Sequence, residues 1–171
     1  MSLIYLIPLL PLIGFVVNGL SFPRIPKQLA ALIGTIPPLA AFLLSVQLFV
    51  QFDGKTQILH VAEWIKLGDF QVPFDLQIDA LSIMMLLVIT GVGTLIHLYS
   101  IGYMSHDKGF GKFFAFLNLF IFFMLILVLG ANFTVLFIGW EGVGLCSYLL
   151  IGFWNQKERP KNQKNFGLPI V

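Results

Sequence analysis

Phe133 to Trp154 reads FTVLFIGWEGVGLCSYLLIGFW, an apolar run with one carboxylate, Glu141, near its middle. At ~1.5 Å per residue a helix of this length spans ~33 Å against a hydrocarbon core of ~30 Å, and Glu141 falls ~12 Å from the Phe133 end. A charged residue at a helix centre costs ~2.5–3.5 kcal/mol on insertion scales, whereas each Leu, Ile, Phe or Val returns ~0.3–0.6 kcal/mol. The eleven such residues in the run outweigh one acid, so the segment is expected to insert as a membrane helix. A carboxylate retained at that depth points to a proton or ion path. The plainer alternative is a structural acid bonded to a neighbouring hydroxyl.

At ~100° per residue, the positions near the azimuth of Glu141 are Thr134, Phe137, Ile138, Gly144, Leu145, Tyr148 and Gly152. This stripe mixes hydroxyls with glycines. Small residues allow close approach and hydroxyls can bond the acid, so the stripe is expected to meet another helix or a water-filled gap rather than lipid. Thr134, Gly144 and Tyr148 are therefore read as supporting residues for Glu141.

The rest of the chain fits the same solvent. It is 58% hydrophobic and 11% charged with a mean hydropathy of +0.92, whereas soluble domains run near ~25% charged. The class is an integral membrane protein in contact with the lipid bilayer. The lone Cys146 implies no disulfide framework and reads as a small packing residue. A net charge of +2 without a basic aromatic-interleaved stripe gives no case for a nucleic-acid partner.

In chain order, five membrane helices are expected, over residues 3–20, 29–52, 79–104, 113–129 and 133–154. No Lys or Arg precedes the first, which argues against a signal peptide. Pro37 and Pro38 predict a kink in the second, with freed carbonyls taken by a neighbouring helix or water. Residues 53–77 form the one long polar connection, and alternation about Gly68-Asp69 predicts a short β-hairpin with Pro73 confining its strand to an edge. His60 and Glu63 there read as solvated loop residues, and no metal site is expected. Asp79 with Ser82 is expected to cap the third helix. His97 is the one intramembrane base, a candidate proton relay or a histidine bonded to a neighbouring helix. Gly130 to Asn132 predict a tight turn that makes helices four and five antiparallel neighbours.

Eight cations (Arg24, Lys27, Lys108, Lys112, Lys157, Arg159, Lys161 and Lys164) follow the first, third and fifth spans, and two (Lys55 and Lys66) fall on the other side. The positive-inside rule then places the amino terminus outside, the carboxy terminus in the cytoplasm and the hairpin-like loop externally.

The run from Gly139 to Trp154 resembles the fifth helix of the subunit L family of bacterial NADH:quinone oxidoreductase, respiratory complex I. PLLPLIGF from Pro8, DALS from Asp79, TGVGTLIHLYSIGYM from Thr90 and FFAFLNLFI from Phe113 agree in order. The resemblance covers residues 1–154 and implies the amino-terminal helices of an antiporter-like, proton-translocating subunit in the bacterial inner membrane. It implies other membrane subunits of complex I as partners, antiporter-like ones included. NADH, FMN, iron–sulfur clusters and quinone then belong to partner subunits. In the family a lysine on a later helix sits near the glutamate that Glu141 matches, and no Lys or Arg here falls inside an expected span. Residues 155–171 are polar and basic, expected to form a cytoplasmic tail outside the family pattern, as after a truncation. Such a piece is expected to be inactive alone. A subunit of a multisubunit sodium/proton antiporter is the alternative reading, and a non-catalytic membrane scaffold is the third.

Overall fold

A computed structural model describes residues 3–22, 24–67 and 70–154. Five long helices appear in it: α1 (Leu3–Ser21), α2 (Lys27–Gln51), α3 (Ala80–Tyr103), α4 (Phe110–Leu129) and α5 (Phe133–Ile151), the last closed by a 3₁₀ turn at Gly152–Trp154. All five are long and apolar enough to cross a membrane, and the chain is a multi-pass membrane protein. Between α2 and α3 stand two antiparallel strands, β1 (Gln57–Leu67) and β2 (Phe70–Ile78). The connection at 68–69 and the tail at 155–171 lie outside the described residues.

α4 is the centre of the bundle and packs on α1, α2, α3 and α5. Its contact with α2 answers the proline pair. Pro37 and Pro38 carry no N–H, so the carbonyls of Ile33 and Gly34 lose their usual donors four residues on. Asn118 of α4 makes good one of these losses: its Nδ2 donates to the Gly34 carbonyl at 2.9 Å and to the Phe114 carbonyl at 2.9 Å. α2 accordingly continues as helix through both prolines. Asn18 makes a parallel link one turn away, donating from α1 to the Ala30 carbonyl at 3.2 Å. Thr90, Thr94, Ser100 and Ser45 satisfy their hydroxyls on carbonyls one turn back in their own helices, as expected where no water competes.

The strands are longer than a short loop hairpin requires, at 11 and 9 residues. Two register shifts, between His60 and Ala62 and between Glu63 and Ile65, flank the pair Glu63–Pro73. The ladder is thus irregular around the residue that cannot donate to it. Leu59, Leu76 and Ile78 are buried and join Ile4, Ile7, Leu129 and Val135 in one apolar cluster, so the hairpin covers one end of the bundle. His60 faces Asp75 across the ribbon at 2.7 Å, and Glu63 pairs with Lys66 at 3.3 Å.

Asp79 turns the chain from β2 into α3. Its carboxylate accepts the Ser82 N–H at 2.7 Å while the Ser82 hydroxyl accepts the Asp79 N–H at 2.8 Å, a reciprocal cap. The Ser82 amide, with help from the Gln77 side chain, holds the Asp79 carboxyl below its ordinary value of 3.8. A depressed folded-state value stabilises above the unfolded value and loses that contribution as pH falls through the lowered one. Asp79→Ala is expected to cost about 1 kcal/mol in unfolding from detergent at neutral pH. Asp79→Asn, still a capping residue, should keep the helix start but lack the contribution that the wild type holds at neutral pH and gives up as pH falls below 3.8, read as a flatter midpoint-against-pH curve.

Candidate functional site

α5 carries Glu141, and its placement follows from three attachments. At its start Asn132 is the cap: Oδ1 accepts the Val135 N–H at 3.0 Å, and Nδ2 donates to the Pro73 carbonyl of β2 at 2.8 Å. Along its length Val135, Gly139, Gly142 and Cys146 are buried, and the contacts of its two glycines lie on α4. A Cβ on Gly139 would come 2.5 Å from the Leu127 backbone, and one on Gly142 would overlap the Phe123 ring. At the far end Trp154 Nε1 donates to the Asp107 carboxylate at 3.0 Å, and Phe153 stacks edge-on against Phe113.

With the glycine seam on α4, Glu141 lies on an exposed face of α5. Its neighbours in azimuth share that exposure: Phe137, Leu145 at 53% and Tyr148 at 75%, while a Cβ on Gly144 would meet nothing within 4 Å. Thr134 and Ile138 are half-buried. Among the described residues the acid itself has no hydrogen-bond partner. Two glycine stripes run along α5, and the one at 139 and 142 takes the close approach to α4. Thr134 and Tyr148 each lie seven residues from Glu141, ~10.5 Å along the axis, beyond direct bonding reach. Tyr148 instead shares with Lys112 and Phe116 a cavity of about 390 Å³ at the end of α4 and α5 away from the hairpin.

His97 sits elsewhere. It is 1% exposed, its Nδ1 lies 2.8 Å from the Gly93 carbonyl, and its ring meets Phe114 edge-on at 5.9 Å. A carbonyl only accepts, so Nδ1 carries a proton, and in the neutral ring Nε2 presents a lone pair. That Nε2 is buried without a partner among the described residues, beside an apolar cavity of about 270 Å³ lined by Val92, Leu117, Ile121 and Leu150. His97 is packed against α4, whereas Glu141 points away from α4, so the two are not brought together. The helical cations among the described residues, Lys27 and Lys112, stand in the first turns of α2 and α4. No group of three or more His, Cys, Asp or Glu that could hold a metal occurs among the described residues.

Comparison with known proteins finds similar chains. Residues 64–114 match the family described as NADH-Ubiquinone oxidoreductase (complex I), chain 5 N-terminus. NADH-quinone oxidoreductase subunit L of Rickettsia typhi is 46% identical over 159 residues, which are 92% of this chain and 24% of that protein. Over most of its own length the chain is similar to subunit L proteins. The Escherichia coli K12 protein is 42% identical over 166 residues, 95% of this chain and 27% of its own length. That of Mycobacterium tuberculosis H37Rv is 50% identical over 131 residues, 74% of this chain and 21% of that one. The chain thus spans about a quarter of the length of the subunit L relatives it matches. Among solved structures, one from the Mrp complex of Dietzia sp. DQ12-45-1b aligns with a TM-score of 0.65 at 26% identity, covering 85% of this chain and 16% of that chain.

The bonding roles of Asn132, in the turn before α5, and of Asn118, the one strongly polar side chain over residues 113–129, were not assigned from sequence. Asn132 follows Gly130-Ala131 and directly precedes an apolar run, a capping signature that could have assigned its Oδ1. Nothing local announces its bond to Pro73, 59 residues earlier, or that of Asn118 to Gly34, 84 residues earlier.

Proposed function

We propose that this chain forms the amino-terminal five-helix portion of a proton-translocating subunit of an NADH:quinone oxidoreductase, with Glu141 as a proton carrier. The observation that carries the reading is a lone carboxylate ~12 Å inside a membrane helix, on a face left clear by the bundle, in a chain similar to subunit L proteins. A carboxyl group in that place takes a proton from one side and gives it up when a cation approaches. In this reading the cation comes from polypeptide beyond the quarter of the relatives that this chain spans. His97, with one nitrogen committed to Gly93 and the other free to accept, is a secondary relay candidate. Thr134, Gly144 and Tyr148 line the approach to the acid.

The hairpin faces the outside and the basic ends of α2 and α4 face the cytoplasm of a bacterial inner membrane, following the distribution of cations. NADH, FMN, iron–sulfur clusters and quinone are handled by partner subunits, and energy reaches this chain through contacts within the membrane complex. The likeness to the Mrp complex chain favours a second reading, a subunit of a multisubunit sodium/proton antiporter, but at 26% identity against 42–50% for the subunit L relatives.

The test is Glu141→Gln in the full-length protein within its assembled complex. Gln keeps the size and cannot titrate. Proton translocation per NADH oxidised is expected to fall while electron transfer to quinone persists, and Glu141→Asp should retain part of it. Undiminished translocation in Glu141→Gln would favour a scaffold, and sodium-dependent transport without NADH oxidation would favour the antiporter.

A further inference from the structure

Asn132 does two jobs with one amide. Val135 N–H requires an acceptor and the Pro73 carbonyl requires a donor, so the orientation of the amide is dictated by its partners. The first bond starts α5; the second ties that start to β2. Two neighbouring contacts reinforce the tie: Ala131 N–H donates to the Asp75 carbonyl at 3.1 Å, and Leu76 bridges to Gly130. The strand is itself anchored, because the Asp75 carboxylate holds His60 and the His60 carbonyl accepts the Tyr5 hydroxyl of α1 at 3.1 Å. A continuous polar path therefore runs from α1 through the hairpin to the first turn of α5.

That path bears on the carboxylate through the geometry of the helix. Glu141 lies nine residues beyond Asn132, ~13.5 Å along the axis. A slip of one residue in the setting of α5 turns every side chain by ~100° and would carry Glu141 from the clear face toward α4. The glycine seam resists rotation in the middle of α5, and Asn132 fixes its start in depth and azimuth.

We propose that Asn132 is a positioning residue for Glu141, holding α5 to the hairpin through the Pro73 carbonyl so that the carboxylate keeps its depth and direction. The inference rests on the proton-carrying role of Glu141. Capping and tying separate by mutation. Asn132→Asp and Asn132→Ser both retain a capping oxygen, Asp cannot donate, and Ser is too short to reach Val135 N–H and Pro73 together.

The experiment uses the full-length protein in its complex, with pH profiles of proton translocation and protons moved per NADH oxidised. Both variants are expected to assemble and oxidise NADH, with the translocation profile displaced by about half a pH unit or more and fewer protons per NADH. A cap alone would leave both quantities at wild-type values in both variants, and that result overturns the proposal. Glu141→Gln is run in parallel. If it leaves translocation intact, the proton-carrier reading fails and the proposal with it; if it blocks translocation while the Asn132 variants behave as wild type, only the positioning role fails.

Discussion

Gly139→Ala is expected to destabilise the helix bundle by about 3 kcal/mol, the upper range for forcing one extra carbon into a packed interface. The added Cβ would stand 2.5 Å from both Cα and N of Leu127, and backbone cannot swing aside as a side-chain tip can. α5 would have to move off α4, loosening Val135 and Cys146 as well. Gly144→Ala is the internal control, since the same carbon there meets nothing within 4 Å, and its effect should stay within about 0.5 kcal/mol. Unfolding midpoints in detergent for the two variants check this directly. Equal effects would mean that α5 does not seat on α4 through its 139–142 seam.

Asn118→Leu is expected to cost about 2 kcal/mol, because it removes two hydrogen bonds and leaves the Gly34 carbonyl in an apolar interior with no donor. Polar bonds between membrane helices are often worth less, since a lone group finds another partner; here the alternative donor is missing because residue 38 is proline. The dependence can be measured. Pro38→Ala restores an N–H four residues after Gly34, so in that background the cost of Asn118→Leu should shrink by about 1 kcal/mol. Strict additivity in the four-member cycle would show that Asn118 does not compensate the proline.

Much of the bundle was legible because the membrane imposes it. Apolar runs of the right length, a polar connection with alternating residues and an Asp–Ser cap at residues 79 and 82 each have a local cause, and the helices and strands formed where those causes lie. α2 and α4 start earlier than the apolar runs suggested, at Lys27 and Phe110, since the first turn of a membrane helix can carry a cation and still keep helical backbone. The azimuths of Glu141, Gly144 and Tyr148 on α5 also follow from residue spacing alone. What could not be read was which glycine stripe meets α4. GWEGVG offers close approach on both sides, and the choice was made by Leu127 and Phe123 of another helix. The same limit hid the partners of Asn118 and Asn132, which are set by tertiary proximity across 84 and 59 residues.

Fixing the bundle away from Glu141 has a consequence for chemistry. Its glycine seam and its two end attachments, Asn132 to Pro73 and Trp154 to Asp107, make α5 a mount whose outward face stands clear of α4. His97, by contrast, is committed to the α3–α4 packing and stands apart from Glu141.

The most direct measurement is infrared difference spectroscopy of the full-length protein in its complex during NADH-driven turnover, with the Glu141 carboxyl band assigned by its loss in Glu141→Gln. A carboxyl band that gains and loses its proton with turnover, absent from the Gln variant, is the expected result. A Glu141 whose protonation state stays constant through turnover would contradict its role as the proton carrier.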